Sequence, residues 1–267
     1  MTGPRLSTAI WHEEPSADDP FVAQSTRCAG YDVYSELLGD AHWADMILLL
    51  FTGERPSAPR RALLNDLAVA LANPGPRDPS VNAAMSAAVG IIPAAASLTA
   101  ALAAGAGQDG GGRDVLVAMT AHATCGRDIA RWRAHLGGPY LHTDEGWPVM
   151  EHAAGFSAHA TAPIPAVLAA LDTLRAHDPE GTVAWVHAHR ETLEELAGAP
   201  LSLAGLAAAA YHEVCLTPAA GEMLHLLLRL PGAAAHALEQ AEKGFKQFPF
   251  PAIDLTDDPA PGGAAHA

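Results

Sequence analysis

The chain has 267 residues, 49% of them hydrophobic and only 6% aromatic, with alanine the dominant apolar residue. Fifteen Lys and Arg residues stand against 30 Asp and Glu, and the net charge of −15 disfavours binding to nucleic acid phosphates or to anionic lipid. The length is sufficient for a buried core. Because alanine is the best helix former and a poor strand former, we predict an all-α protein with little strand.

The cysteines and the N-terminal segment bear on localisation. Cys28, Cys125 and Cys215 are odd in number and widely spaced, which is typical of a reducing compartment, so we predict a cytoplasmic protein. The first fifteen residues contain no apolar segment of the kind found in a secretory signal.

One segment, residues 81–108, carries no charge over more than the ~20 residues that span a bilayer. It is rich in Ala and Gly, and Pro93 divides it. We therefore predict two buried helices there and no association with a membrane.

The first half of the chain is predicted to form four helices. Apolar residues recur at helical spacing up to Gly53, a residue suited to end a helix. Ser57 can cap a second helix, which ends at the Asn-Pro-Gly-Pro segment that begins at residue 73. The predicted bounds of the second to fourth helices are 58–73, 80–92 and 94–105.

The second half begins with a glycine-rich segment, 108–112, after which the sequence is richer in charge, His and Trp up to residue 198. Six helices are predicted there and beyond, over 113–136, 164–177, 182–197, 201–214, 218–230 and 232–247. The change in composition predicts a large helical domain from residues 1–108 and 205–255, with a small domain inserted over 109–204. Residues 256–267 contain too much Pro, Gly and Asp to pack and are predicted to form a flexible tail.

Three segments together resemble the citrate synthase superfamily. Residues 27–32 (Arg-Cys-Ala-Gly-Tyr-Asp) and a leucine-rich helix ending in Gly-Glu-Arg-Pro at 53–56 are similar to the opening of that family. Residues 217–240 are similar to its late helices, which carry a substrate-binding arginine, and 155–159 (Gly-Phe-Ser-Ala-His) resembles a degenerate form of its Gly-x-Gly-His loop. The resemblance covers residues 20–255, and the short length favours the citryl-CoA lyases within the family.

This resemblance implies an all-helical homodimer with a cleft between the large and the small domain, where an acyl-CoA and a dicarboxylate meet. In the family an aspartate acts as base, histidines polarise the thioester and the keto acid, and arginines bind carboxylates. The implied reaction is cleavage of a carbon–carbon bond, from citryl-CoA to acetyl-CoA and oxaloacetate, or on a related acyl-CoA and keto acid pair. No bound cofactor is implied, and coenzyme A thioester enters as substrate or ligand.

The resemblance fails where the chemistry of the family requires proton transfer. The Asp-His-Gly motif of the family corresponds to Asp78-Pro79-Ser80, and proline has no side-chain proton to donate. The aspartate that serves as base corresponds to Ala204, and the glycine-rich segment contains no imidazole. Because loss of a general base typically slows a reaction by ~10²–10⁴, the ordinary mechanism is expected to be crippled.

Two residues remain as candidate catalytic groups, His159 in the degenerate loop and Asp78. Asp109 and Glu151 are alternative acids or bases. Irregular segments carry functional residues more often than helices do, which favours a cleft position for His159. The alternative is a loop histidine without a role.

Two cations are candidate substrate-binding residues. Arg229 corresponds to the substrate arginine of the family, and a guanidinium can bind a carboxylate through two parallel hydrogen bonds. The alternative for Arg229 is a cation placed near a helix C-terminus. Lys246 lies where the family sends an arginine into the site of its partner.

Fourteen histidines also invite a search for a metal site, and His187 with His189 or His135 with His142 can be drawn as ligand pairs. The sequence contains no Cys-x-x-Cys or His-Glu-x-x-His spacing. No metal site is therefore predicted.

Two functions are compatible with these observations. The first is a citryl-CoA lyase-like enzyme with an altered active site. The second is a catalytically degenerate homologue that binds an acyl-CoA or a carboxylate, or serves as a structural subunit. Such a subunit would pair with itself or with an active paralogue.

Overall fold

The computed structural model describes most of the chain, in residues 7–138, 146–249 and 252–253. In that part of the chain ten α-helices follow a small three-stranded sheet, which confirms the prediction of a mainly helical protein. Among the described residues, no helix is both long and apolar enough to cross a membrane. The predicted tail, 256–267, lies outside the described residues.

The sheet is antiparallel, and its order follows the chain: β1 (Trp11–Pro15), β2 (Ala23–Cys28) and β3 (Tyr31–Asp32). Ala29 and Gly30 turn the chain between β2 and β3 with positive φ angles of 47° and 91°. No element was predicted here from the sequence. Since β1 is exposed along its whole length, it lacks the alternation of polar and apolar residues that indicates a strand.

Two helices follow a single π-helical turn over Val33–Leu37. Helix α1 (Trp43–Thr52) ends at Gly53, whose φ of 77° is left-handed, so the predicted glycine end of this helix is confirmed. Helix α2 (Ala58–Leu71) begins after Ser57 and buries its leucines in the core.

Helices α3 (Pro79–Ala88) and α4 (Ala94–Gly105) pack against each other as a hairpin, which confirms two helices in the uncharged segment. The prediction that both are buried is wrong for α4, which is buried only at Ser97, Ala101 and Gly105. Helix α3 begins with proline, directly after Asp78. The Asp78 carboxylate accepts the backbone N–H of Ser80 at 2.9 Å and so caps the helix.

Four helices lie in the segment predicted to be the small domain: α5 (Gly112–Cys125), α6 (Ile129–Leu136), α7 (Pro165–Leu174) and α8 (Thr182–Ala197). The prediction of one helix over 113–136 is wrong. Gly126 adopts φ 55° and ψ −129°, a conformation that an α-helix does not contain. Asp128 then begins α6 by accepting the N–H groups of Ala130 and Arg131.

The last two helices are α9 (Leu203–Glu213) and α10 (Pro218–Lys243). The prediction of separate helices over 218–230 and 232–247 is wrong, because α10 continues through Pro231. The next residue, Gly232, donates its N–H to the carbonyl of Ala72 at 2.7 Å, outside its own helix. Packing against α2 and α3 therefore holds together a helix that its proline would otherwise interrupt.

The main hydrophobic core surrounds α9, and α5 packs along that helix. The alanines at the centre of α9 are almost completely buried: Ala207, Ala208, Ala209 and Ala210. Small side chains allow neighbouring helices to approach closely. The core contains residues from both predicted domains, such as Leu63 and Leu171, and the division into two domains stays a prediction.

Candidate active site

Two residues singled out in the sequence, Asp78 and Arg229, form an ion pair between the start of α3 and the middle of α10. The Arg229 side chain is 5% exposed and that of Asp78 is 16% exposed. The Asp78 carboxylate also accepts the hydroxyl of Ser80 at 2.5 Å. Arg229 is thus buried and Asp78 partly buried, and the pair is anchored at a helix N-terminus.

The second terminal nitrogen of Arg229 faces the turn between α4 and α5. It donates to the carbonyl of Gly110 at 3.3 Å and to that of Gly105 at 3.5 Å. Arg229 therefore joins α3, α10 and the glycine-rich turn. Its role as a ligand for a substrate carboxylate stays a prediction.

The glycine-rich turn requires glycine at two positions. Gly110 has a φ of 67°, and a Cβ on Gly111 would lie 2.6 Å from the carbonyl oxygen of Gly105. The turn places Asp109 at the surface and Gly110 against the Arg229 guanidinium.

Asp114, in the first turn of α5, connects this turn to the loop that carries His159. Its carboxylate accepts the backbone N–H of Gly110 at 3.1 Å and that of Gly155 at 2.8 Å. Burial raises the pKa of Asp114 to about 7, and the charge of Asp109 acts in the same direction, while the two backbone hydrogen bonds oppose the rise.

His159 contacts Asp109 across the two loops. Nε2 of His159 lies 2.7 Å from Oδ2 of Asp109, and the two side chains are 79% and 58% exposed. The structure thus brings together a candidate catalytic histidine and one of the alternative acids. Glu151 is exposed in the loop before Gly155.

Ala204 lies in the first turn of α9, beside the Gly155 loop, and is 3% exposed. The next residue, Gly205, is so close to Gly155 that a Cβ would lie 2.9 Å from the Gly155 Cα. Position 204 therefore carries a buried methyl group in the hydrophobic core, next in sequence to the residue that contacts the Gly155 loop. Pro79 follows Asp78 as the first residue of α3 and offers no proton to the site.

Two buried polar residues behind the glycine-rich turn were missed in the sequence, His225 of α10 and Tyr211 of α9. Nε2 of His225 lies 3.4 Å from the carbonyl of Gly110, and the two ring centroids are 6.3 Å apart. Burial lowers the pKa of His225 to about 3 and raises the pKa of Tyr211. The spacing of four residues between His225 and Arg229 places both on one helix face, and this signal was available in the sequence.

Lys246 lies on an exposed 3₁₀ turn, Phe245–Gln247, after the end of α10. Its role in substrate binding stays a prediction. Within the described residues there is no group of three or more His, Cys, Asp or Glu able to hold a metal ion, and His142 lies outside them.

The comparisons with known proteins identify the fold. No family model matches the sequence, and no curated protein matches it. The solved structure of citryl-CoA lyase from Hydrogenobacter thermophilus matches with a TM-score of 0.73 at 20% identity, over 96% of this chain and 96% of that one. The chain has the citryl-CoA lyase fold.

Two larger proteins contain the citryl-CoA lyase fold as part of their chains. ATP citrate lyase from Methanothrix soehngenii, in complex with citrate and coenzyme A, has a TM-score of 0.72 at 14% identity, over 98% of this chain and 43% of that one. A mutant ATP citrate lyase from Methanosaeta concilii, in complex with (3S)-citryl-CoA, has a TM-score of 0.71 at 13% identity, over 97% and 43%. At such identities the likeness shows the fold and not the activity.

The two loops that Asp114 connects carry His159 and Asp109, whose side chains are in contact at the surface of this citryl-CoA lyase fold. An imidazole oriented by a carboxylate can act as a general acid or base. Behind it, the Asp78–Arg229 ion pair is nearly closed to solvent. The two halves of the site therefore differ in accessibility.

Proposed function

We propose that the chain is a citryl-CoA lyase-like enzyme that binds a coenzyme A thioester and cleaves a carbon–carbon bond in its acyl group. The citryl-CoA lyase fold supports this proposal, as do the ligands of the two ATP citrate lyase structures, namely citrate, coenzyme A and (3S)-citryl-CoA. The substrate is citryl-CoA or a related 3-hydroxyacyl thioester.

The observation that carries the proposal is the contact of 2.7 Å between His159 and Asp109. Cleavage of a 3-hydroxyacyl thioester begins when a base removes the hydroxyl proton. The carbon–carbon bond then breaks, a carbonyl forms, and the electron pair passes to the enolate of the shorter thioester, which takes up a proton. Asp109 orients the imidazole, and His159 accepts the first proton and returns it to the enolate carbon.

A second function has support from a different observation. The resemblance implies a histidine at the position of Pro79 and, at the position of Ala204, an aspartate that acts as general base. Ala204 is buried. A homologue without these groups can retain thioester binding while losing turnover. It would then serve as a binding or structural subunit, with itself or with an active paralogue.

Turnover and binding measured separately test the two functions. The purified protein is incubated with citryl-CoA and with 3-hydroxybutyryl-CoA, formation of acetyl-CoA is followed by chromatography, and binding of coenzyme A is measured by calorimetry. We expect binding together with turnover at least ~100-fold below that of a lyase with the full residue set. Each of His159→Asn and Asp109→Asn should remove the residual turnover without changing the melting temperature by more than a few degrees.

Binding without turnover of either thioester would contradict the enzyme and favour the subunit. A protein that binds neither coenzyme A nor a thioester would contradict the enzyme and the thioester-binding subunit, and would leave a structural subunit. The His187→Asn variant is a matched control, because His187 also lies against an aspartate, Asp172 at 3.1 Å, far along the chain from the site.

A further inference from the structure

We propose that Asp114 is a positioning residue of the candidate site, which holds the loops of Asp109 and His159 in place through one carboxylate oxygen each. Only the ionised carboxylate can hold both loops, so a proton on Asp114 releases one of them and separates Asp109 from His159. The effect on turnover rests on the proposed function, since it concerns the same site. The release of a loop does not.

The two oxygens of the Asp114 carboxylate have different partners. Oδ2 accepts the N–H of Gly110 at 3.1 Å, and Oδ1 accepts the N–H of Gly155 at 2.8 Å. Gly110 directly follows Asp109, and Gly155 lies a few residues before His159. A shift of either loop therefore changes the contact between the two functional side chains.

This arrangement differs from an ordinary helix cap. At the exposed start of α6, Asp128 accepts the N–H groups of Ala130 and Arg131 through Oδ1 alone, so its second oxygen is not needed for the cap. Asp114 is only 1% exposed, and each of its oxygens has its own backbone donor. Neither oxygen can be lost without loss of a contact between loops.

Protonation removes one of these two acceptors. In a neutral carboxyl group one oxygen carries a hydrogen and becomes a donor, which cannot receive the N–H that faces it in the ionised state. The bond to Gly110 is the longer of the two, and Oδ2 is the oxygen on the side of the glycine-rich turn. The proton therefore goes to Oδ2, the turn is released, and Asp109 leaves His159.

Both forms of Asp114 exist near neutral pH. Burial raises the pKa of Asp114 to about 7, the charge of Asp109 acts in the same direction, and the two backbone hydrogen bonds oppose the rise. Elsewhere around the first turn of α5, Arg113 stacks on a tryptophan ring, Glu222 of α10 packs against the helix, and His159 pairs with Asp109. Among the described residues no cation lowers the pKa of Asp114.

A second contact joins the same two segments without a titratable group. Nε2 of Gln108 donates to the carbonyl of Pro148 at 2.7 Å. This bond keeps the segments near each other at every pH, so that protonation of Asp114 changes the position of the turn and not the fold. Gln108 also provides a matched control for the experiment.

NMR of the ¹⁵N-labelled protein tests the release directly, between about pH 5 and about pH 9. We expect the amide signals of Gly110 and Gly155 to titrate together with a midpoint at about 7. The Gly110 amide should lose protection from hydrogen exchange by about tenfold or more in the acidic range, relative to its intrinsic rate. In Asp114→Asn, which has a single acceptor oxygen at every pH, neither amide should titrate, whereas Asp128→Asn should behave as the wild type.

The pH dependence of turnover tests the consequence for the site. The residual kcat with citryl-CoA should fall in the wild type as the pH is lowered through about 7, because the ionised carboxylate is the form that holds both loops. In Asp114→Asn kcat should be lower by about tenfold or more above that pH, with little change in KM, since misplaced reacting groups slow the chemical step. Gln108→Leu should lower kcat at every pH and retain the wild-type midpoint.

The inference is wrong if the Gly110 and Gly155 amides keep the same signals and protection across this pH range, or if they titrate in Asp114→Asn as in the wild type. It is also wrong if kcat depends on pH identically in the two proteins. Should Asp114→Asn fail to fold, the amide titration of the wild type decides alone. A protein that shows both amide transitions and cleaves no thioester would contradict the proposed function and leave the role of Asp114 standing.

Discussion

At the scale of single residues, Asp114 links the two loops on which the candidate site depends. One carboxylate accepts N–H groups from Gly110 and Gly155, which are far apart in the chain, and its side chain is nearly inaccessible. Two backbone hydrogen bonds stabilise the ionised form, while burial favours the neutral form. Because burial dominates, this residue titrates in the neutral range.

We predict that Asp114 makes the protein less stable as the pH rises from about 4 to about 7. The carboxyl ionises near its ordinary pKa of 3.8 in the unfolded chain and at about 7 in the folded one, so the folded state binds more protons in that interval. Relative to Asp114→Asn, the free energy of unfolding of the wild type should fall across this range, by ~4 kcal/mol at most. Urea unfolding at a series of pH values measures the difference, and parallel profiles for the two proteins would contradict the prediction.

A second residue-scale prediction concerns the missing proton-transfer groups. If the site is otherwise intact, Ala204→Asp combined with Pro79→His should raise the rate of thioester cleavage by ~100-fold or more, since a positioned base contributes that much. The two substitutions should together exceed the product of their separate effects, because both groups act in one transition state.

Ala204→Asn with Pro79→His is the matched control for this restoration, because it adds the same volume at position 204 without a base. An equal rate increase in that control would show that size, and not proton transfer, limits the reaction. Rates are measured with citryl-CoA and with 3-hydroxybutyryl-CoA under saturating conditions.

At the scale of elements, the approach of α9 to the Gly155 loop sets the position of His159. A Cβ on Gly205 would lie 2.0 Å from the Gly155 carbonyl oxygen and 2.9 Å from the Gly155 Cα, and both of these atoms belong to the backbone, which cannot rotate away. We predict that Gly205→Ala destabilises the protein by ~1–3 kcal/mol through overpacking. At Gly107 an added Cβ would come no closer than 3.8 Å to another residue, so Gly107→Ala should be nearly neutral in the same denaturation assay.

The elements predicted well from the sequence are those with a local signal at their ends. Gly53 ends α1 and Gly198 ends α8, in both cases with a left-handed φ that glycine adopts at little cost. The break at Gly126 and the continuation through Pro231 were mispredicted. A local signal does not reveal whether the surrounding packing will use a glycine to turn the chain, or will hold a helix together across a proline.

The sequence identified the residues of the candidate site but did not predict which of them contact each other. Asp78 and Arg229 are 151 positions apart, and His159 and Asp109 are 50 apart, so no periodicity within the sequence relates them. Their pairing depends on how α3, α10 and the two loops meet in the fold. Asp114 was missed for the same reason, because an acidic residue in the first turn of a helix is ordinarily placed there by the helix dipole.

At the scale of the whole molecule, the surface retains many large apolar side chains. Trp43 is 71% exposed, Met223 is 61% exposed and Leu238 is 65% exposed, all on helices. The hairpin of α3 and α4 adds an alanine-rich surface. Exposed apolar side chains do not stabilise an isolated chain, and a second copy of the chain could bury them in an interface.

Ile91, in the turn between α3 and α4, combines two unfavourable features. It is 87% exposed, and its φ of 54° is left-handed, which is costly for a branched side chain. Gly or Asn would adopt this left-handed turn conformation at lower cost in an isolated chain. An apolar partner surface over this turn would account for isoleucine, which makes Ile91 a probe of assembly.

We predict that the protein is a two-fold dimer, with a mass by light scattering of twice 27.6 kDa at micromolar concentration. Ile91→Asn should relieve the backbone strain in the monomer and, if the turn lies in the interface, shift the equilibrium towards monomer. The melting temperature of the wild type should then fall on dilution, because dissociation couples to unfolding, and that of the variant should depend less on concentration.

A wild-type monomer would contradict the prediction. A dimer unaffected by Ile91→Asn, but with a higher melting temperature, would place the interface elsewhere and confirm that isoleucine strains the turn.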